Sequence, residues 1–566
     1  MNNSQVRRLS LIAAGLVIAT VIVIGRLVVF QIIEGEEWAE KTLDTVPVVD
    51  RPGRGVIYDR HGAVLAVDKQ DYQVGISPNL VTNPEELSLA LAPILEESRL
   101  QLLTAMESSA PFELLSPRVS QEVAEAIRAV DEDEVVQLDP MPRRFYPQGS
   151  LMCHVLGYVD LGGNAGGGVE GYYQSELAGE AASADVSISP LAEQPSVIAR
   201  EGADLVLTID RSVQFTVEKH LKEALVEHGA VSGTIIVMDP RTGAIVAMAS
   251  EPCYEPNEWY EADDAVLLNP IVTQQYEPGS VMKLVTMAAA LDSGTVTPTT
   301  TYNDTGELWV GGHRTVNWDR SAPGIVDMTT LLARSLNVGA ATLATWMGAD
   351  KFYDYYSRFG FGKPTGIDIF AESTGLMPLP GDAYWNDSFL ATNAYGQSLA
   401  VTPLQMISAV AAIANGGYLM QPYVVQEIHD ATGVHVHEPR VSSQAIGREA
   451  ANQLTAMAVT AVNQEVPEAQ IPGYTVAGKT GTAQIAENGI YHPTDVIGSF
   501  IGWLPADAPE IVVFVKLDRP TSAPWGSMTA APTFAKLTKE LVVMLDIPPD
   551  EIRLQPDIVA ARGAGE

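Results

Sequence analysis

The stretch "LSLIAAGLVIATVIVIGRLVVFQII", residues 9–33, restricts this chain more than any other, because Arg26 is its only charged residue. As a helix, Leu9 to Phe30 spans roughly 33 Å, enough to cross a hydrocarbon core of about 30 Å. Arg7 and Arg8 precede the run, and Glu34, Glu36, Glu37 and Glu40 come after it. Cytoplasmic flanks of membrane spans carry an excess of Lys and Arg, so the short N-terminus is expected inside the cell and the remainder outside. No small-x-small cleavage site comes after the run, which argues against a removed signal peptide. Arg26 lies near the outer end, where its side chain extends to the interface. Residues 9–33 therefore predict a single-pass anchor, with residues 1–8 as a cytoplasmic tail.

The rest of the chain must fold outside the membrane, and 566 residues call for two or more domains. Hydrophobic residues at 46% and charged residues at 18% describe a globular chain. A net charge of −36 excludes a nucleic-acid partner, which clustered Lys and Arg would have to hold, and suits a soluble ectodomain. Two cysteines, Cys153 and Cys253, make no disulfide framework, and whether they pair is open at this level. His435 and His437 in "GVHVHEP" would share a strand face. A metal site needs three or four convergent ligands, so a solvent-facing hairpin without metal is expected there.

Residues 34–200 alternate short strand-like and helical runs. "RPGRGVIYDRHGAVLAV", residues 51–67, reads as a hairpin about "DRHG". Residues 84–130 form an acidic, helical patch, "DLGGNAGGGVEGYYQSELAGE" a loop leading into a short helix, and the weakly patterned 181–200 a boundary. A different rhythm starts at residue 201. "LVLTID" is a strand, and Val213, Val217, Leu221 and Leu225 recur every four residues as a helix stripe. "SGTIIVMDPRTGAIVAMAS" and "SFIGWLPADAPEIVVFVKL" are hairpins, with a long helix from Ser280 between them and a last helix near 531–545. Hairpins at both ends with helices between predict an α+β fold, one antiparallel sheet covered by helices. The expected organisation is a pedestal over 34–200, a catalytic domain over 201–545 and a tail over 546–566.

"QYEPGSVMKLVTM", residues 275–287, carries the chemistry. If Ser280 opens the helix, its hydroxyl and the Lys283 amine are neighbours on one face, among the free amides of the first turn. Serine becomes a nucleophile when a base takes its proton. Lysine serves as that base when neutral, yet only about 0.04% is neutral at pH 7. Lowering its pKa to 7 requires roughly 4.6 kcal/mol, which burial and a second nearby cation supply. Ser280 could instead simply cap a helix. S-x-x-K occurs nowhere else in the chain, however, and two companions come after it in order. "ARSLNVGA" supplies Ser335 and Asn337, and "VAGKTGTAQ" supplies Lys479, Thr480, Gly481 and Thr482 on a strand.

S-x-x-K, S-x-N and K-T-G in that order resemble the penicillin-binding protein and serine β-lactamase superfamily. "RGVIYDRHGAVLA", "RRFYP" and "GGGVEGYYQSELAG" are similar to the pedestal motifs of class B penicillin-binding proteins, and "AYGQSLAVTPLQMISAVAAIANGG" also looks like that family. The resemblance implies an anchored, β-lactam-sensitive D,D-transpeptidase of the bacterial cell membrane that cross-links peptidoglycan stem peptides without cofactor or metal. It implies that Ser280 attacks the carbonyl between two D-alanines, Lys283 accepts its proton, Ser335 relays a proton to the leaving D-alanine and Asn337 binds the substrate amide. Lys479 would be the second cation, Thr480 and Thr482 would hold the terminal carboxylate, and Gly481 would let the strand approach closely. The amides of Ser280 and Thr482 would form the oxyanion hole.

"YEPGSVMK" and "SLN" resemble division-type members more than elongation-type ones, which tend to have Pro before "PGS" and Asp in place of Asn337. That likeness implies a role in septal synthesis beside a SEDS-type glycan polymerase and division proteins. Elongation- and sporulation-type relatives, and β-lactam-hydrolysing or sensing ones, share the motif set. No E-x-x-x-N stands between Asn337 and Lys479 to position a hydrolytic water in the manner of a class A β-lactamase.

Overall fold

This computed structural model describes residues 14, 17–26, 28–29, 45–50, 53–131, 133–180, 182–187, 200–487 and 490–555. The expected cytoplasmic tail lies outside them, and the expected anchor is described only in part, at residues 14, 17–26 and 28–29. Residues 17–26 are helical and expose Val17, Ile18, Val21 and Ile22. Among the described residues no helix is long and apolar enough to cross a membrane. The chain divides into two units, residues 1–53 with 179–202, and residues 54–178 with 203–566. In the first, strand Thr45–Asp50 pairs antiparallel with Ala182–Ser187. The second strand falls where weak patterning predicted only a boundary, its ladder supplied by a distant partner.

In the second unit, β1 (Ile57–Tyr58) and β2 (Val64–Ile76) form the hairpin expected about "DRHG". Asp59 closes the turn by accepting from the amides of His61 at 2.9 Å and Ala63 at 2.7 Å. Next along the chain are helices α1 (Pro84–Leu95) and α2 (Arg99–Met106), then β3 (Glu113–Ser120), α3 (Gln121–Val130) and β4 (Val136–Phe145). β3 corrects the all-helical expectation for 84–130. Its "ELLSPRVS" carries a proline, tolerated because β3 lies at a sheet edge and, among the described residues, pairs only with β2. β3 and α1–α3 enclose a small core of Val74, Ile76, Leu91, Leu102, Leu115 and Ile127.

β5 (Asp204–Leu207) leads into α4 (Arg211–His228), β6 (Ser232–Met238) and β7 (Ile245–Glu251). Then come α5 (Lys283–Asp292), α6 (Asn337–Met347), α7 (Pro403–Ala414), β8 (Val425–Asp430), β9 (Gly433–Val436) and α8 (Arg448–Glu465). The chain closes with β10 (Ala477–Glu487), β11 (Ile490–Leu504), β12 (Ile511–Asp518) and α9 (Ala530–Met544). β5 joins the preceding strands in a sheet of order β9-β8-β5-β1-β2-β3, with β4 also on β2. β8 and β9 make the exposed hairpin expected at the histidines, but His435 bonds Asp430 whereas His437 stacks on Tyr423.

A five-stranded sheet is antiparallel, in the order β7-β6-β12-β11-β10. Its strands are apolar at successive positions because both faces are covered. Ile235, Val237, Val513 and Val515 pack with α4 and α9, while Ile236, Met238, Val512 and Phe514 face the cluster holding α5 and α7. Every residue of α5 from Lys283 to Leu291 is buried, as is α7 from Pro403 to Ile413. Helices apolar all round belong in the centre of a domain. Val213, Val217 and Leu221 of the predicted stripe are fully buried.

Three motifs far apart in sequence converge. Glu170 of "GGGVEG" accepts from Arg54 Nε at 2.7 Å and from Arg144 Nε of "RRFYP" at 2.6 Å, with the Glu170 side chain wholly buried. A disulfide joins Cys153, in the short helix Cys153–Leu156, to Cys253 after β7. Sequence reasoning left that pairing open.

Candidate active site

Ser280 does not open the α-helix. It sits in a 3-10 turn, Gly279–Met282, from which α5 continues at Lys283. Gly279 takes a left-handed φ of +56° and donates its amide to Gly396 O at 3.0 Å. Gly396, at φ +83°, lies so close to the Gly279 backbone that a β-carbon would overlap it. The turn is therefore set by a contact with a residue remote in sequence, and only glycine fits both sides.

Lys283 is the hub. Its Nζ lies 3.0 Å from Ser280 Oγ, 2.6 Å from Ser335 O, 3.1 Å from Ser335 Oγ and 2.7 Å from Asn337 Oδ1. Ser335 holds a left-handed φ of +56°, uncommon for a residue with a β-carbon, and so directs both its carbonyl and its hydroxyl at the amine. Asn337 Nδ2 donates to Val316 O at 3.1 Å, so its amide already bridges Lys283 and the neighbouring strand. Lys283 is 1% exposed. Burial, and after it the charge of Lys479, pushes the Lys283 pKa well below the ordinary lysine value. These are the two influences a lysine base requires.

Lys479 is itself buried at 2% exposure, and desolvation lowers its pKa to about 8 against the opposing charge of Glu465. Its Nζ is 3.3 Å from Thr480 O and from Thr480 Oγ1. Thr482 Oγ1 accepts from the amide of Gly526 at 3.2 Å. β10, which carries these residues, is the edge strand and pairs only with β11 among the described residues. At Gly481 a β-carbon would lie 2.8 Å from Val281 Cγ2 and 3.1 Å from Pro278 O, so its absence is what lets β10 meet the Ser280 turn. The structure thus brings Ser280, Lys283, Ser335 and Asn337 into direct contact, with Lys479 close enough to perturb Lys283 and Thr480, Gly481 and Thr482 along the facing strand.

The penicillin-binding protein transpeptidase domain matches residues 233–539, and the penicillin-binding protein dimerisation domain matches residues 49–207. Stage V sporulation protein D of Bacillus subtilis is 32% identical over 560 residues, covering 95% of this chain and 86% of that protein. The chain belongs to the class B penicillin-binding proteins. A probable peptidoglycan D,D-transpeptidase, PbpC of Pseudomonas aeruginosa, is 29% identical over 97% of each chain. The crystal structure of penicillin-binding protein 3 from Mycobacterium tuberculosis, complexed with aztreonam, superposes with a TM-score of 0.70 at 26% identity. It covers 89% of this chain and 98% of that one.

Within this penicillin-binding protein, sequence reasoning missed several residues that shape the site. Gly396 sits in "AYGQS", at the start of a stretch whose family likeness was read from the sequence but whose contact with the Ser280 turn was not. Gly526 packs its α-carbon against the backbone of Gly481 and Ser499, leaving no room for a side chain. The neighbouring Trp525 meets Trp318 edge to face, with ring centroids 5.3 Å apart, and Trp318 Nε1 donates to Arg334 O at 3.1 Å. The two rings link the wall holding Ser335 to the wall holding Thr482.

Proposed function

We propose that this penicillin-binding protein is a serine D,D-transpeptidase that cross-links peptidoglycan stem peptides and is acylated by β-lactams. The observation that carries the reading is the buried Lys283 amine 3.0 Å from Ser280 Oγ, beside a second buried lysine. Lys283 in its neutral form takes the Ser280 proton as Oγ attacks the carbonyl between the two terminal D-alanines. The peptide bond breaks, an ester forms on Ser280, and D-alanine leaves with a proton relayed through Ser335. Asn337 holds the substrate amide. Lys479, Thr480 and Thr482 hold the terminal carboxylate, and the amides of Ser280 and Thr482 stabilise the oxyanion, about 3 kcal/mol for each such donor. The open edge of β10 supports binding of the donor as an added strand, which Gly481 lets come close to Ser280. An amine of a neighbouring strand then attacks the ester and regenerates Ser280.

The apolar run 9–33 supports a single-pass anchor that holds residues 34–200 as the pedestal and 201–545 as the extracytoplasmic catalytic domain. Glu277 before "PGS" and Asn337 in "SLN" support work at the septum, with a SEDS-type polymerase making the glycan and division proteins recruiting both. Fluorescent penicillin tests the chemistry: it should label the wild-type protein covalently and leave Ser280→Ala unlabelled. Equal labelling of Ser280→Ala would remove that serine from the mechanism.

A further inference from the structure

A cavity of about 140 Å³ lies apart from the reactive serine, and no residue of the active site borders it. Three elements enclose it: the end of the helix Ala349–Arg358, the buried helix α7, and the paired strands Tyr418–Met420 and Val441–Gln444. The loop after the first helix adds Lys363 and Thr365 to the wall.

The charge of this wall is the reverse of the chain's. Asp and Glu outnumber Lys and Arg by 70 to 34 overall, yet the wall holds Arg358 and Lys363 and no carboxylate. Asp354 engages one end of the Arg358 guanidinium at 2.6 Å, and the fork has further N–H donors. Lys363 has no carboxylate partner among the described residues. Its Nζ donates to Ser357 Oγ at 3.0 Å, which uses one of its three donors.

Ser408 marks the floor of the cavity. It is 4% exposed, and its hydroxyl has no hydrogen-bond partner among the described residues. Buried polar groups are ordinarily paired, so a hydroxyl left over in a cavity wall points to a ligand that would pair it. Ser408 comes three residues after Gln405 and therefore shares its face of α7. Gln405 Nε2 donates to Lys363 O at 2.8 Å, which ties the lysine to that same face. An orphan hydroxyl and an ammonium without a countercharge thus border one small space.

We propose that this cavity is an anion site for a phosphate group, with Lys363 and Arg358 balancing its charge and Ser408 donating to one of its oxygens. The donors stand on separate elements, so they surround a ligand instead of meeting it along one edge. A tetrahedral oxyanion presents acceptors in every direction, whereas a carboxylate has two oxygens in one plane. The volume is well under the roughly 300–1,000 Å³ of drug-sized sites, which suits a small anion. Phe359 and Leu419 supply an apolar remainder, where charge-assisted hydrogen bonds strengthen.

The test is a titration of the full-length protein, in a phosphate-free detergent, with orthophosphate read by phosphorus-31 relaxation. At about 0.15 M salt only short-range contacts attract an anion, and the net charge of −36 repels it from the surface at large. The wild type should bind with a Kd of about 1 mM or tighter, as two charge-assisted hydrogen bonds allow. Lys363→Gln should weaken binding by about tenfold or more, and Lys363→Arg should largely restore it. Ser408→Ala should weaken it severalfold while the urea midpoint stays level or rises, because the change removes an unpaired hydroxyl. Glycerophosphoglycerol distinguishes the source of the group. Binding at least as tight as orthophosphate assigns the site to a phosphodiester of a polymer or lipid headgroup, and weaker binding assigns it to free phosphate. No binding of either probe by the wild type, acetate binding as tight as phosphate, or phosphate binding that Lys363→Gln or Ser408→Ala leaves unchanged would each overturn the proposal.

Discussion

Replacing Gly481 by alanine should separate the two halves of the site without unfolding the domain. The new β-carbon would lie 2.8 Å from Val281 Cγ2, 3.1 Å from Pro278 O, and closer still to Ser499 Oγ. The Ser499 hydroxyl can rotate to another staggered position. Val281 is fully buried in the turn that carries Ser280, and Pro278 O is backbone, so neither gives way. Carbon atoms in contact normally sit roughly 3.5–4.0 Å apart. β10 must therefore retreat from the turn by about 0.7–1.2 Å, taking Thr480 and Thr482 with it. Misplacing reacting groups by about 1 Å costs on the order of a hundredfold in rate, and overpacking costs about 1–3 kcal/mol of stability. Stopped-flow measurement of the second-order rate of penicillin acylation, with a urea titration alongside, should show a loss of about a hundredfold in a protein that is still folded. Acylation within threefold of wild type would refute the claim that this close approach sets the site's geometry.

Lys479→Ala should slow acylation and also move its pH dependence: Lys283 loses a neighbouring cation, its pKa rises, and the ascending limb shifts to higher pH. The descending limb from Lys479 itself, near its pKa of about 8, should vanish, and a profile that merely scales down would leave Lys479 a carboxylate-binding role alone. Glu170→Ala strands the buried Arg54 and Arg144, and the urea midpoint should report a loss of about 3 kcal/mol or more; a loss under about 1 kcal/mol would show the pedestal junction does not depend on this cluster. A fragment beginning near Gly35 should be soluble and still take penicillin, and a folded fragment that refuses it would contradict the separation of anchor from chemistry.

Much of the site was legible because its chemistry imposes local spacing. Ser280 and Lys283 had to share a helical face, and the need to depress a lysine pKa called for burial and a second cation, both of which the structure supplies. The catalytic strands were legible through unbroken apolar runs such as "EIVVFVKL", which only a doubly covered sheet can bury. The features that escaped depend on distant partners. The 3-10 turn at Ser280 is shaped by Gly396, the strand β3 by its pairing with β2, and the Cys153–Cys253 bond by two cysteines 100 residues apart. Asn337 illustrates the same limit: its motif suggested a substrate contact, whereas in the fold its amide also anchors Lys283. Arg54, Arg144 and Glu170 lie in three separate motifs that give no local sign of meeting in one buried cluster.

The claim that Ser280 forms an acyl-enzyme built to wait for an amine is tested most directly by the lifetime of its penicilloyl adduct. A hydrolase must hold a water against the acyl-serine, as class A β-lactamases do with a glutamate, and no E-x-x-x-N lies between Asn337 and Lys479 in this chain. The measurement is intact-mass spectrometry over time after excess penicillin is quenched. A transpeptidase should retain the adduct on Ser280 for many minutes to hours, and return to the unmodified mass within about a second would mark the protein as a β-lactam hydrolase instead.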